Sequence, residues 1–332
     1  MFTNAIKWLG LGIITSYIIA SSKQQVTLTS LSEKPFDLYP PDFYPNGTDL
    51  QLPSGTMRYW QFGNEAGSKV VLVHGITTGS SVYDKLARDL ADKGHHVLVY
   101  DIWGRGYSQA PATNYDEALY TSQLAMLLQK VGWDRTDVVG VSLGGGIATS
   151  FTAFYPEVVN KLVLIAPAGL MKRKDMPLIF KVLTFPFVHH FVMNQPYIRP
   201  LLINAIERFS KTTRLVQSGL DEDTEATIAK ITKIATYQFV NHAGFFRAFL
   251  GTVVRFPFTE LRERYKKVGL QDRPVLMIWG DQDTTVPFDN SQEAQQLMPN
   301  AKLIVHEDKG HDVLITLWRT VNQEIEEFLT SK

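Results

Sequence analysis

Beyond Leu52 the chain alternates short runs of branched and aliphatic residues with longer stretches in which apolar residues recur every three or four positions. The short runs predict strands at Val70–Val73, Val97–Tyr100, Asp137–Val141, Leu162–Ile165, Val275–Trp279 and Lys302–His306. Between them the helical spacing predicts Tyr83–Leu90, stopped by Gly94, then Leu119–Val131, Leu143–Tyr155, a helix near Ser291–Leu297 and a last one over Asp312–Leu329. This is the βα grammar of a mostly parallel sheet covered by helices on both faces, an α/β fold. The alternation lapses between Met171 and about Val268, where helical stretches continue without a comparable strand. That insertion carries two apolar groups, Leu178–Met193 and Tyr237–Phe256, around a mixed-charge stretch from Glu207 to Lys233. Either it packs a small helical core of its own, or its inner face is a lid over an apolar pocket at the carboxyl ends of the strands.

The first 51 residues read differently. Lys7 and Lys23 bracket an uncharged run, Trp8–Ser22, with Leu9, Leu11, Ile13, Ile14, Tyr17, Ile18 and Ile19. Counting Phe2–Ile6 with a snorkelling Lys7, it just reaches the length of a membrane span. The alternative is a cleaved signal peptide ending in Ala20, Ser21 and Ser22, which would leave a secreted body. From Lys23 to Gln51 the chain holds Pro35, Pro40, Pro41, Pro45 and Gly47 and no helical period, as an extended strap would. The expected layout is an anchor or signal segment over 1–22, a linker over 23–51, a core over 52–170 and 269–332, and a helical cap over 171–268.

Composition narrows the partners. With 45% hydrophobic and 20% charged residues the chain is globular, and its 33 Lys and Arg balance 33 Asp and Glu. No net field is left to hold a polyanion, so nucleic acid is not an expected partner. There is no cysteine, which removes disulfides, thiolate metal sites and cysteine nucleophiles together.

Candidate chemistry begins at Gly140-Val-Ser142-Leu-Gly144, between the strand Asp137–Val141 and a helix. A sharp strand-to-helix turn there holds Ser142 in a strained conformation above the sheet edge and requires small residues at 140 and 144. The helix that starts at Leu143 aims amide hydrogens at the place where negative charge would develop. Serine needs a base, and the base needs an orienting acid. Asp283 follows the strand Val275–Trp279, and His311 follows Lys302–His306. Parallel strands would therefore bring Ser142, Asp283 and His311 to one rim, with the imidazole taking the serine proton and the carboxylate fixing the tautomer.

From Leu52 to the C-terminus, apart from the insertion, the chain resembles the α/β-hydrolase superfamily. The resemblance is carried by Leu72-Val-His-Gly-Ile76, Asp101-Ile-Trp-Gly-Arg-Gly-Tyr-Ser108, Gly140-Val-Ser-Leu-Gly-Gly145, Trp279-Gly-Asp-Gln-Asp-Thr-Thr-Val-Pro287 and Gly310-His311. It implies an α/β-hydrolase fold with a helical cap before the last strands, Ser142 as nucleophile, Asp283 as acid and His311 as base. It also implies an oxyanion hole made of the Ile76 and Leu143 backbone N–H groups, with a structural turn at Asp101. Asp281 competes with Asp283, and the family pattern, with the acid just before Val286-Pro287, favours Asp283. Asp308 and Asp312 read as solvent-facing or helix-capping groups, His74 as structural, and the remaining histidines as surface or packing residues.

No ligand pattern for a metal stands out and no cofactor is expected. A serine nucleophile argues against dehalogenase and epoxide hydrolase chemistry, which uses a carboxylate, and leaves acyl transfer to water. The apolar N-terminus and the aromatic insertion suggest an amphiphilic ester, such as a monoacylglycerol, met at a membrane surface. Membrane-anchored monoacylglycerol lipases and related lipid esterases look most alike. The alternatives are a serine C–C bond hydrolase, another small-molecule esterase, lactonase or thioesterase, and a non-catalytic receptor on the same scaffold.

Overall fold

The computed structural model describes residues 26–176, 181–182, 185 and 220–331. The run Trp8–Ser22 and the first apolar group of the insertion, apart from Lys181, Val182 and Phe185, lie outside the described residues. So do His189 and His190. Eight strands form one sheet: β1 Gly47–Leu52, β2 Gly55–Gly63, β3 Lys69–Val73, β4 His96–Tyr100, β5 Thr136–Val141, β6 Val159–Ile165, β7 Val275–Gly280 and β8 Lys302–His306. Their spatial order is β1-β2-β4-β3-β5-β6-β7-β8. The two strands at the β1 edge pair antiparallel, β1 with β2 and β2 with β4, and every other pair is parallel.

The central strands are apolar at successive positions because both of their faces are covered. On one face Val71, Val73, Val138, Leu162, Leu164 and Met277 pack with helices α2 (Glu117–Val131), α3 (Leu143–Phe154) and the later α6 (Arg262–Gly269). On the other, Val70, Leu72, Val139, Val163, Leu276 and Ile278 pack with α1 (Asp84–Asp92) and the last helix, α9 (Trp318–Thr330). One-residue alternation along each strand thus feeds two cores.

Three features depart from the sequence reading. The sheet begins within the segment expected to be linker, since β1 opens at Gly47 and turns through Pro53-Ser54 into β2. As an edge strand, β1 buries only Leu50, so no alternation betrayed it. The rest of the strap is packed against the body: Leu31, Tyr39 and Tyr44 are wholly buried, Leu28 bridges to Ala110, and the Trp60 indole N–H donates to the Pro41 carbonyl. Finally, the last helix is two, α8 (Val313–Thr316) and α9, broken at Leu317 with no glycine or proline to mark the break.

Within the insertion the described helices are α4 (Glu222–Asn241), α5 (Phe245–Arg255) and α6. An Asp221 carboxylate caps α4 by accepting the Thr224 N–H. The described part of the insertion is not a separate body, because Ala248 of α5, Phe256 just after it, and Tyr265 and Val268 of α6 join the core beneath the sheet. Among the described residues no helix is long and apolar enough to cross a membrane. A short connection joins α7 (Asp289–Leu297) to β8, and because β7 and β8 pair in parallel the loops after them emerge side by side.

Candidate active site

The turn after β5 has the strain that its sequence predicts. Ser142 sits at φ 54° and ψ −119°, a left-handed conformation that non-glycine residues rarely adopt, and α3 starts at the next residue. Its amide donates to Ile165, and its carbonyl accepts from Gly145, Gly146 and Ala168, so neighbouring backbone on both sides holds the turn. Glycine is required at the flanks: a Cβ at Gly140 would collide with the Gly144 carbonyl, and one at Gly144 with the carbonyl of Val73.

The loops after β7 and β8 are joined by backbone hydrogen bonds, Asp281 N–H to His306 and Gln282 N–H to Lys309. A Cβ on Gly280 would strike the Lys309 carbonyl, so a bare backbone there lets the loops cross. This crossing sets His311 between Ser142 and Asp283. The Ser142 hydroxyl lies 2.9 Å from His311 Nε2, and His311 Nδ1 lies 2.8 Å from Asp283 Oδ2. A neutral imidazole carrying its proton on Nδ1 satisfies both contacts, donating to the carboxylate and accepting from the hydroxyl. The Asp283 side chain is wholly buried, and its Oδ1 accepts the Thr285 and Val286 amides at 2.9 Å each. Those donors pin the carboxylate plane, and His311 itself is partly open to solvent. Asp281 makes no hydrogen bond to His311; its Oδ1 is buried without a partner.

On the other side of Ser142 runs the loop after β3. A Cβ on Gly75 would lie 3.5 Å from the Ser142 Cβ and 4.0 Å from its hydroxyl oxygen, so Gly75 runs beside the serine, with Ile76 next in the chain. His74 is wholly buried, 2.7 Å from the Gly75 carbonyl through Nδ1, and its Nε2 accepts the Ile102 N–H. Burial, aided by the charge of Arg105 and opposed by the Gly75 contact, lowers its pKa to about 3. It is a neutral structural donor. In a trans peptide the C=O and N–H point opposite ways, so the grip of His74 on the Gly75 carbonyl also orients the Ile76 N–H.

The segment Asp101–Ser108 ties neighbouring elements together. The Asp101 carboxylate accepts the Tyr39 hydroxyl and the Ser80 and Tyr107 amides, which fastens the strap to the rim. His95 and His306 are bonded to Glu326 and Glu324, and His242 to the Ser108 carbonyl, all away from Ser142. Among the described residues no group of three or more His, Asp or Glu side chains is placed to hold a metal.

The structure therefore brings Ser142, Asp283 and His311 into one hydrogen-bonded chain, with Leu143 in the first turn of α3 and Ile76 on the loop beside the serine. Sequence reasoning missed two supports. The amide pair on Asp283 could have been found, since an Asp followed by Thr-Thr-Val has the makings of an Asx turn. The partners of Arg105 left no local signal.

Known proteins are similar to this chain in sequence and in fold. A lipase of Psychrobacter immobilis is 27% identical over 286 residues, 80% of each chain, and a lipase of Moraxella is 26% identical over 268 residues, 79% of this chain and 78% of the relative. An esterase from Exiguobacterium antarcticum superposes with a TM-score of 0.67 at 19% identity, covering 86% of this chain and all of that one. The model of the alpha/beta hydrolase fold matches residues 69–316, a stretch that includes β3 to β8 and the loops bearing Ser142, Asp283 and His311, and the chain belongs to that family.

Proposed function

We propose that the protein is a serine ester hydrolase. The observation that carries this reading is the unbroken chain from the Ser142 hydroxyl through His311 to a buried, doubly hydrogen-bonded Asp283. In this role His311 takes the Ser142 proton as the oxygen attacks an ester carbonyl, and the Ile76 and Leu143 amides receive the oxyanion. His311 then returns the proton to the leaving alcohol, and Asp283 stabilises the transient imidazolium. Water, activated by the same imidazole, releases the acid and restores the serine.

The lipase relatives and the apolar run Trp8–Ser22 support a lipid ester, such as a monoacylglycerol, met at a membrane surface. A fluorophosphonate probe tests the chemistry: the wild type is expected to be labelled at Ser142, and Ser142→Ala not at all. A folded wild type that resists the probe refutes the reading and favours a non-catalytic scaffold. Long-chain against short-chain monoacylglycerols test the substrate, and a preference for water-soluble short esters refutes the lipid assignment.

A further inference from the structure

Arg105 is wholly buried, and among the described residues its hydrogen-bond partners are two carbonyls and two hydroxyls, with no carboxylate. Its Nε–H donates to the Ile76 carbonyl at 3.1 Å, and Nη1 donates to the Trp103 carbonyl at 2.9 Å and the Tyr120 hydroxyl at 2.8 Å. Nη2 donates to the Thr252 hydroxyl at 3.1 Å. The Thr252 hydroxyl in turn donates to the Ala248 carbonyl within α5 and takes the Tyr120 O–H at 2.6 Å, so each proton in the cluster has one direction. The guanidinium faces the rings of Tyr120 and Phe245 at 6.0 and 5.9 Å. Among the described residues four of its five N–H groups are engaged, which offsets much of the cost of desolvating the cation, and a planar fork with fixed N–H directions is suited to joining several elements. The elements joined are the loop of Ile76, the turn at Trp103, core helix α2 and cap helix α5.

We propose that Arg105 is a positioning residue that couples the seating of cap helix α5, through Thr252, to the placement of the Ile76 peptide beside Ser142. The inference rests on the reading of the Ile76 N–H as an oxyanion donor. His74 holds the peptide before Ile76 and Arg105 the carbonyl after it, so the residue is gripped on both sides. The guanidinium also sets a positive charge behind that loop in a water-poor interior, where it favours a developing oxyanion. The seating of α5 thereby contributes to the geometry of the hole, and the cap is part of the catalytic apparatus as well as a cover.

The test uses the full-length chain with Arg105→Lys, Arg105→Met, Thr252→Val and Tyr120→Phe. Each is assayed for kcat and KM on p-nitrophenyl butyrate, for thermal midpoint, and for inhibition by an alkyl trifluoromethyl ketone. That ketone adds reversibly to a serine hydroxyl as a tetrahedral hemiketal. A misplaced donor weakens binding of such an adduct and lowers kcat in parallel while leaving KM nearly unchanged. For Arg105→Met the expected loss is about tenfold to a hundredfold in both kcat and ketone affinity. Thr252→Val is expected to lose several-fold in the same pattern, and Arg105→Lys to recover little because one ammonium cannot span the four partners. Folded variants with wild-type ketone affinity overturn the proposal, as does weakening of KM and ketone binding by equal factors, which a merely structural role would give. If Arg105→Met does not fold, the two hydroxyl variants decide by the same criteria. A wild type that neither hydrolyses esters nor reacts with a fluorophosphonate overturns the hydrolase reading itself, an outcome distinct from an active wild type with indifferent variants.

Discussion

His74 is the residue at which pH enters the stability of this protein most clearly. Its ordinary pKa of 6.5 falls to about 3 in the folded state, chiefly through burial. The unfolded chain therefore binds a proton between these values that the folded chain refuses, so its stabilising effect is full above about pH 6.5 and is lost as pH falls toward 3. The slope is about 1.4 kcal/mol per pH unit for one proton. Asp101 acts in the opposite sense: burial raises its carboxyl pKa, so the proton it holds when folded stabilises at low pH and that contribution is lost as pH rises. Urea unfolding of the wild type and of His74→Asn across this window isolates the histidine, and the variant should lose about one proton from the slope. At Asp283, replacement by Asn keeps the shape but offers His311 Nδ1 a donor or a weaker acceptor. The expected loss in kcat is on the order of a thousandfold or more with an unchanged melting temperature, measured by ester hydrolysis and calorimetry.

At the scale of elements, the turn at Ser142 and the cap make different demands. Gly144→Ala would drive a methyl group into the Val73 carbonyl, forcing β3 and α3 apart. The expected cost is about 1 to 3 kcal/mol by denaturant unfolding, with hydrolysis reduced more steeply because Ser142 moves with the helix. The outer end of α4 is held to the core by charge. Lys85 and Arg319 reach Asp223, Lys230 reaches Asp84, and both Lys85 and Arg319 lie over the Trp318 ring. These pairs are largely exposed, so Asp223→Asn should cost no more than about 1 kcal/mol globally. Hydrogen exchange should instead accelerate locally in α4, and molar salt should erase the difference between variant and wild type. What the sequence made legible follows the same division. The central strands and the loops bearing Ser142, Asp283 and His311 could be read because a strand buried on both faces is continuously apolar and a strained turn restricts its flanking residues. β1 could not be read, since an edge strand that buries Leu50 alone has no period to detect. In β2 the buried positions Met57, Trp60 and Phe62 break strict alternation. The contacts of Arg105 were invisible because they join residues up to 147 positions apart.

For the molecule as a whole, the packed strap makes part of the N-terminal segment a working piece of the fold. On the proposal that the run Trp8–Ser22 holds the protein at a membrane, deleting residues 1–22 should release it from carbonate-washed membranes with its activity on soluble esters retained. Deleting through Pro45 should remove Leu31, Tyr39 and Tyr44 from the core at roughly 1.5 to 3 kcal/mol for each side chain, and strip Asp101 of a donor. Thermal unfolding of the two truncations separates the cases, and equal melting temperatures would contradict the role given to the strap. The hydroxyl of Thr252 bears on how such enzymes can be recombined. A foreign cap grafted onto this scaffold to change its substrate range must bring a hydroxyl to the same point above Tyr120, or the chimera will accept new esters and turn them over slowly.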